Sequence, residues 1–335
     1  MPGATVPGAQ VPEPQVPESL VAEPQYRGSR QPIRRGARGT PTRHPSGPVS
    51  GRASTRQPVV KLRRGPDGTS ANRRPDTIAG EEPLEIRVNG EQFVVTMRTP
   101  GNDFELAAGF LLGEGVVAGR DDIAQIGYGP GVDEHGRATY NIVDVQLAAG
   151  IAPPAAEEAR RVYTSSSCGV CGTSSIELVH KNSRFSPAEP APDGAGADRI
   201  TLERLLALPE ELRQQQRLFA STGGVHAAGI FPLADAAAPL VVREDVGRHN
   251  AVDKAIGRAL LNNQIPLRHT VLQVSGRASF ELVQKAAMVG IPMLAAVSAP
   301  SSLAIDLAKE SGMTLAGFSR TDSVVLYTGA ERVQW

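Results

Sequence analysis

Cysteine is scarce in this chain: 335 residues contain two, Cys168 and Cys171, separated by two positions. One such pair cannot be the disulfide framework of so long a fold, so catalysis, redox chemistry or metal binding must account for it. No run of about 18 apolar residues exists, and no membrane-spanning helix is predicted. The opening "MPGATVPGAQ" lacks the basic start and apolar stretch of a secretory signal, and a cytoplasmic location is expected. Walker A and GxGxxG sequences are missing, which removes the usual support for an ATPase or a dinucleotide dehydrogenase. A second Cys-x-x-Cys that would complete a zinc site is missing too, as is the His-x-Glu or Cys-x-Glu that a zinc deaminase carries upstream.

The chain has no net charge, yet its ends differ. Residues 1–75 hold 13 Lys and Arg against 4 Asp and Glu, and the remainder is correspondingly acidic. Pro, Gly, Gln and Ser dominate that opening stretch, "VPGAQVPEPQVPE" reads as a degenerate repeat, and no apolar periodicity supplies a core. Disorder is expected over 1–75. Such a segment is a solvated tail, or else a basic arm for nucleic acid or an acidic partner.

Order is expected from Asp76. "EEPLEIRVNGEQFVVTMRT" alternates apolar and polar residues about Asn89-Gly90, a hairpin signal, because Asn-Gly accepts the positive φ angles of a tight turn. In "GNDFELAAGFLLGEGVV", helical spacing puts Phe104, Ala107, Ala108, Leu111 and Leu112 on one face before Gly113 and Gly115. With the strand "ATYNIVDVQLA", residues 76–162 read as a small α+β domain. Residues 163–198 read as a flexible cysteine loop and linker, and 199–335 as an α/β domain. There a helix around Pro209 is followed by alternating strands and helices: a strand over 240–243, a helix over 250–261, the strand "TVLQVSG", a helix striped by Phe280, Val283 and Ala287, the strand "IPMLAAVS", the helix "SLAIDLAKESG", then "TLAGFS" and "VVLYTG".

Ligands of such sheets gather at strand carboxyl ends, where backbone N–H groups meet anions. "REDVGRHN", "SGRASFE", "SAPSS" and "GFSRTDS" each follow a strand. Each offers Gly or Ser for close approach, and three add an Arg suited to phosphate or carboxylate. Arg243, Arg248, Lys254, Arg277 and Arg320 are candidate phosphate groups, with Ser275 and Gly276 beside Arg277. Asp245 and Glu281 are candidate acceptors for a base. "STGGVHAAGIF" adds His226, a ligand group or a packed core histidine. His249 with Asp253, and Asn250 with Lys254, are spaced to share a helix face. The thiols admit zinc binding, a dithiol redox cycle, or a mobile nucleophilic sulfur. The last suits "YTSSSCGVCGTSSIE" best, because Gly169, Gly172 and the serines resist the helix that normally activates a dithiol.

Together "EEPLEIRVNG", "GFLLGEGVV", "YTSSSCGVCGTSSIE", "STGGVHAAGIF", "REDVGRHNAVDKAIG", "SGRASFELVQKA" and "GFSR" resemble the FdhD family over residues 76–330. The resemblance implies a sulfurtransferase-type sulfur carrier needed for formate dehydrogenase activity. Such a carrier accepts sulfane sulfur from a cysteine desulfurase and passes it to the molybdenum bis-molybdopterin guanine dinucleotide cofactor, for which GDP is a mimic. It implies a persulfide on Cys168, a flanking Cys171, a C-terminal domain resembling the cytidine deaminase fold without its zinc ligands, and a cofactor-binding segment over Phe318, Ser319, Arg320, Thr321, Asp322 and Ser323. Basic residues are more typical of the family where acidic Asp322 stands. The expected partners are the desulfurase and formate dehydrogenase, with neither nucleic acid, membrane nor a protein-bound metal, and a two-fold dimer is the expected assembly. A cofactor-binding chaperone without sulfur chemistry and a thiol-disulfide oxidoreductase using Cys168 and Cys171 are the competing readings.

Overall fold

The computed structural model describes residues 52–66, 68–132, 139–154, 184–187, 198–234 and 237–335. Cys168, Cys171 and nearly all of the expected cysteine loop lie outside these residues.

The first described element contradicts an expectation. β1 (Ser54–Gly65) and β2 (Gly68–Ala79) pair antiparallel from Ser54↔Ala79 to Gly65↔Gly68, within the stretch expected to be disordered. Composition hides a local signal: Gly65-Pro66-Asp67-Gly68 has the residues of a tight reversal, with Pro setting one φ and Gly accepting another.

Next comes a four-stranded sheet ordered β4-β3-β6-β5, from β3 (Glu82–Val88), β4 (Glu91–Arg98), β5 (Ile123–Tyr128) and β6 (Ile142–Leu147). The β3–β4 hairpin turns at Asn89 and Gly90, with φ of 52° and 87°, as the Asn-Gly pair predicts. Leu84, Ile86 and Val88 alternate inward along β3. Helix α1 (Asp103–Gly113) lies against this sheet, with Ala107, Ala108, Leu111 and Leu112 buried and the chain reversing at Gly115.

The second half is a mixed six-stranded sheet ordered β13-β12-β11-β10-β8-β9. Its strands are β8 (His226–Pro232), β9 (Val241–Asp245), β10 (Thr270–Val274), β11 (Met293–Ala296), β12 (Thr314–Gly317) and β13 (Val325–Thr328). β10, β11 and β12 run parallel, and β8 runs antiparallel to both β9 and β10. The amino end of β8 therefore sits at the same edge as the carboxyl ends of β9 to β12. Helices α4 (Arg248–Leu261), α5 (Phe280–Met288) and α6 (Ser302–Glu310) follow β9, β10 and β11. Between the sheets in sequence lie β7 (Ile200–Thr201), which pairs parallel with the last strand, β14 (Val333–Gln334), then α2 (Leu202–Gln215) and α3 (Arg217–Thr222). Thr201 caps α2 by accepting Arg204 N–H at 3.1 Å.

One apolar cluster runs from Leu84, Ile86 and Val143 through α1 and α4 to Leu272 and Leu294. The α1–α4 crossing is close because glycines face across it. A Cβ at Gly109 would lie 1.9 Å from the Asp253 carbonyl oxygen, and one at Gly257 1.8 Å from that of Glu105. A smaller cluster packs Leu205, Leu208 and Leu212 of α2 onto the other face of the large sheet, against Phe231, Val271 and Met293.

Candidate functional site

The common edge of the large sheet carries a cavity of about 730 Å³, within the span of small-molecule sites. The sheet side contributes His226, Val246, Ser275, Val297, Ser319, Arg320 and Thr321, which begin β8 or follow β9 to β12. Helix α2 and the start of α3 contribute Leu212, Arg213, Gln216 and Phe219, and Gly223 and Gly224 complete the wall.

Each polar group is held for a physical reason. Ser275 accepts the Ala227 N–H in its side chain at 2.9 Å and donates its own N–H to the Ala227 carbonyl at 3.0 Å, which ties the β10 exit to β8. Gly276 comes so near that a Cβ there would meet His226 Nδ1 at 3.5 Å and Arg248 Cδ at 4.0 Å. His226 is half-buried, and burial, then the Arg248 guanidinium, holds its pKa below the ordinary 6.5. Its imidazole is neutral at pH 7 and can accept as well as donate.

Arg248 opens α4, and the preceding turn is fixed by the buried Asp245 carboxylate. That carboxylate accepts N–H groups of Thr99 at 3.0 Å and Gly247 at 2.8 Å and the Asn250 amide at 3.1 Å, and pairs with Lys254 Nζ at 2.6 Å. Two buried polar atoms at this edge, Arg248 Nε and Ser319 Oγ, have no hydrogen-bond partner among the described residues. Buried donors are rarely left so. Ser319 is fully buried, and its N–H donates to the Ala296 carbonyl at 3.0 Å. Arg320 Nη1 donates to the carbonyls of Val297 and Ser319. On the helix side, Glu244 accepts the N–H groups of Leu218 at 2.9 Å and Phe219 at 2.8 Å, and the Arg213 guanidinium lies over the Phe219 ring at 4.5 Å.

The structure thus brings Ser319, Arg320, Thr321, Ser275 and His226 to one cavity, with Gly276 and Arg248 beside it. Four other candidates do not line it: Arg277 and Phe318 are exposed, Phe318 at φ 47°, and Asp322 and Ser323 are exposed beyond the turn. Three more are spent on the fold. Arg243 forks onto Glu105 of α1 through Nε at 2.5 Å and Nη2 at 2.9 Å. Lys254 is buried against Asp245 and donates to the Thr99 carbonyl at 2.8 Å, and Asp245 has its acceptor sites filled. Glu281 pairs with His249 at 3.0 Å, and Asp253 with Lys285 at 2.8 Å. The helix-side groups Arg213, Gln216 and Phe219 were not singled out in the sequence, since nothing local in "LRQQQRLF" says that the end of α2 faces a sheet edge.

Comparison with known proteins gives the chain's family. The model of the FdhD/NarQ family matches residues 79–334. A sulfur carrier protein FdhD from Mycolicibacterium paratuberculosis is 58% identical over 260 residues, covering 78% of this chain and 93% of that one. One of the same name from Streptomyces coelicolor is 53% identical over 283 residues, covering 84% and 96%. A crystal structure assigned to a formate dehydrogenase accessory protein from Desulfotalea psychrophila superposes with a TM-score of 0.65 at 25% identity, over 84% of this chain and all of that one. Matched by the family model over residues 79–334 and by relatives at these identities, the chain belongs to the FdhD/NarQ family.

Proposed function

We propose that this chain is a sulfur carrier that accepts sulfane sulfur from a cysteine desulfurase as a persulfide on Cys168 and hands it to molybdenum bis-molybdopterin guanine dinucleotide, the client cofactor of a formate dehydrogenase. The observation that carries the nucleotide half of this reading is the pair of unpartnered buried donors, Arg248 Nε and Ser319 Oγ, at the edge of a cavity where strand ends converge. The names of the relatives support the sulfur half.

The cavity suits one guanine nucleotide end of the substrate. Arg248 and Arg320 supply forked cationic donors for phosphate oxygens, and Ser319 Oγ and Ser275 supply hydroxyls. The neutral His226 ring donates to a phosphate oxygen or accepts from a ribose hydroxyl. Phe219, held flat by Arg213, offers a face on which a purine stacks, and the buried Gln216 amide pairs with the donor and acceptor edge of guanine. Sulfur chemistry belongs to the thiols. The Cys168 thiolate attacks the outer sulfur of a donor persulfide, the donor S–S bond breaks, and the donor cysteine leaves as thiolate. Delivery as sulfide takes two electrons. A second thiolate, that of Cys171 or of a small thiol, attacks Cys168 Sγ, a disulfide forms, and the outer sulfur leaves as hydrosulfide for the client metal.

Intact-protein mass measurement after incubation with a desulfurase and cysteine tests this. Wild type should gain about 32 Da per sulfur. Cys168→Ala should gain nothing and fail to activate a formate dehydrogenase, while Cys171→Ala should load and keep part of the activity, because an external thiol replaces it. Equal, complete loss in both variants would favour a dithiol or metal mechanism, and activation without a mass gain would favour a cofactor-binding chaperone.

A further inference from the structure

The β1–β2 ribbon lies almost wholly outside the region matched by the family model, which begins at residue 79. Each strand has 12 residues, so the ribbon reaches about 40 Å. A lone two-stranded hairpin is marginally stable in water, and here both edges and both faces are largely exposed.

The register divides its side chains unequally. Residues directly opposed share a face, so Arg56, Pro58, Val60, Leu62 and Arg64 stand with Arg73 and Pro75 on one side. Val60 and Leu62 there are 54% and 66% exposed, where surface strands normally carry polar groups. This face carries three arginines and no acid. Asp76, the sole acid among the ribbon's described residues, lies on the opposite face and meets Arg74 at 3.7 Å. A concavity of about 620 Å³ at mid-ribbon takes Arg56, Pro58, Val60, Arg73 and Pro75 from this face and Gln57, Val59 and Arg74 from the other.

Both edges are interrupted for strand addition. Pro58 and Pro75 oppose each other in mid-ribbon, and a proline survives within a strand where its missing N–H faces outward, so each free edge lacks a donor at the same level. A strand added at either edge would lose a hydrogen bond in mid-ribbon, whereas an occupant of the face loses none. We propose that this face is a docking surface for an acidic segment of another protein, with apolar side chains on Val60 and Leu62 and carboxylates on Arg56, Arg64 and Arg73. A second copy that offers the same ribbon is the poorer occupant, because like charges repel. Single-stranded nucleic acid is poorer too, because the ribbon has no aromatic ring on which a base stacks.

The test uses the full chain and fluorescence anisotropy with a labelled 12-residue peptide alternating Glu and Val, alongside a DNA duplex of about 20 base pairs for counterion-driven binding. Arg64→Ala with Arg73→Ala should weaken peptide binding at least tenfold. Val60→Thr with Leu62→Thr, which keeps strand propensity, should weaken it severalfold. Lys61→Ala with Arg63→Ala removes equal charge from the opposite face and should change it less than twofold. Persulfide loading and GDP affinity should be unaltered in all three. Equal losses from both faces, tighter binding of the duplex than of the peptide, or a dimer in sedimentation that these substitutions dissociate would each overturn the proposal.

Discussion

Arg248 and Ser319 show how a residue's neighbours decide whether its polarity serves the fold or a ligand. Arg243 and Lys254 are as basic as Arg248 and lie within six residues of it, yet both are answered by carboxylates, Glu105 and Asp245. Sequence showed that this segment is rich in cations; it did not show which ones are spent, because Glu105, the partner of Arg243, and Thr99, which joins Asp245 in holding Lys254, lie about 140 to 155 positions away. His226 yields a prediction of its own. Its folded pKa is depressed below 6.5 by burial and by Arg248, so below that pH the unfolded chain takes up a proton that the folded chain refuses. The folded state therefore loses stability as pH falls through 6.5 toward the folded value, and this contribution is absent above it. Melting of wild type and His226→Gln across pH 5 to 7.5 should show wild type falling more steeply below about 6.5, and parallel curves would mean that the ring is solvated in the native state.

Elements were legible where their evidence is local. Periodicity located α1 and α4 to α6, Asn89-Gly90 located the β3–β4 turn, and Gly312, at φ 66°, closes α6 where the sequence has it. The ribbon was missed because charge and proline content outweighed its Pro-Asp-Gly turn. β8 was missed as a strand because "HAAGIFP" is too short and small-residued for alternation to show. Its antiparallel direction, which puts His226 at the cavity, is a property of pairing that no single stretch encodes. The α1–α4 crossing depends on a fact equally remote in sequence, that Gly109 and Gly257 face each other. Replacing Gly257 by Ala would drive a Cβ into the Glu105 carbonyl and force the helices apart, with the Arg258–Glu105 pair between them. Overpacking of this kind costs on the order of 3 kcal/mol. Urea titration of Gly257→Ala should give a midpoint well below wild type, whereas Gly119→Ala, where a Cβ meets nothing within 4 Å, should stay near it.

At the scale of the whole molecule, the sheet and helices build a cavity at one edge, while the thiols belong to a stretch outside the described body. The proposed function assigns the two parts different partners: a desulfurase visits the thiols, and the client cofactor occupies the edge. If so, the two activities separate by mutation. Charge-assisted hydrogen bonds from Arg248 and Arg320 should each contribute about 1.5 to 3 kcal/mol to phosphate binding. Either Ala substitution should then weaken GDP about tenfold or more. Lys in place of either should recover part of the loss, since a point charge lacks the fork of a guanidinium. Arg277→Ala serves as the contrast, because Arg277 is exposed and does not line the cavity, and should leave GDP affinity within about twofold. Calorimetric titration with GDP reads the first half, and the mass gain on Cys168 reads the second. Loading should persist at the wild-type level in Arg248→Ala and Arg320→Ala. A loss of loading with affinity would mean that the desulfurase and the nucleotide meet the same surface, and unchanged affinity in both variants would move the nucleotide site off this edge of the sheet.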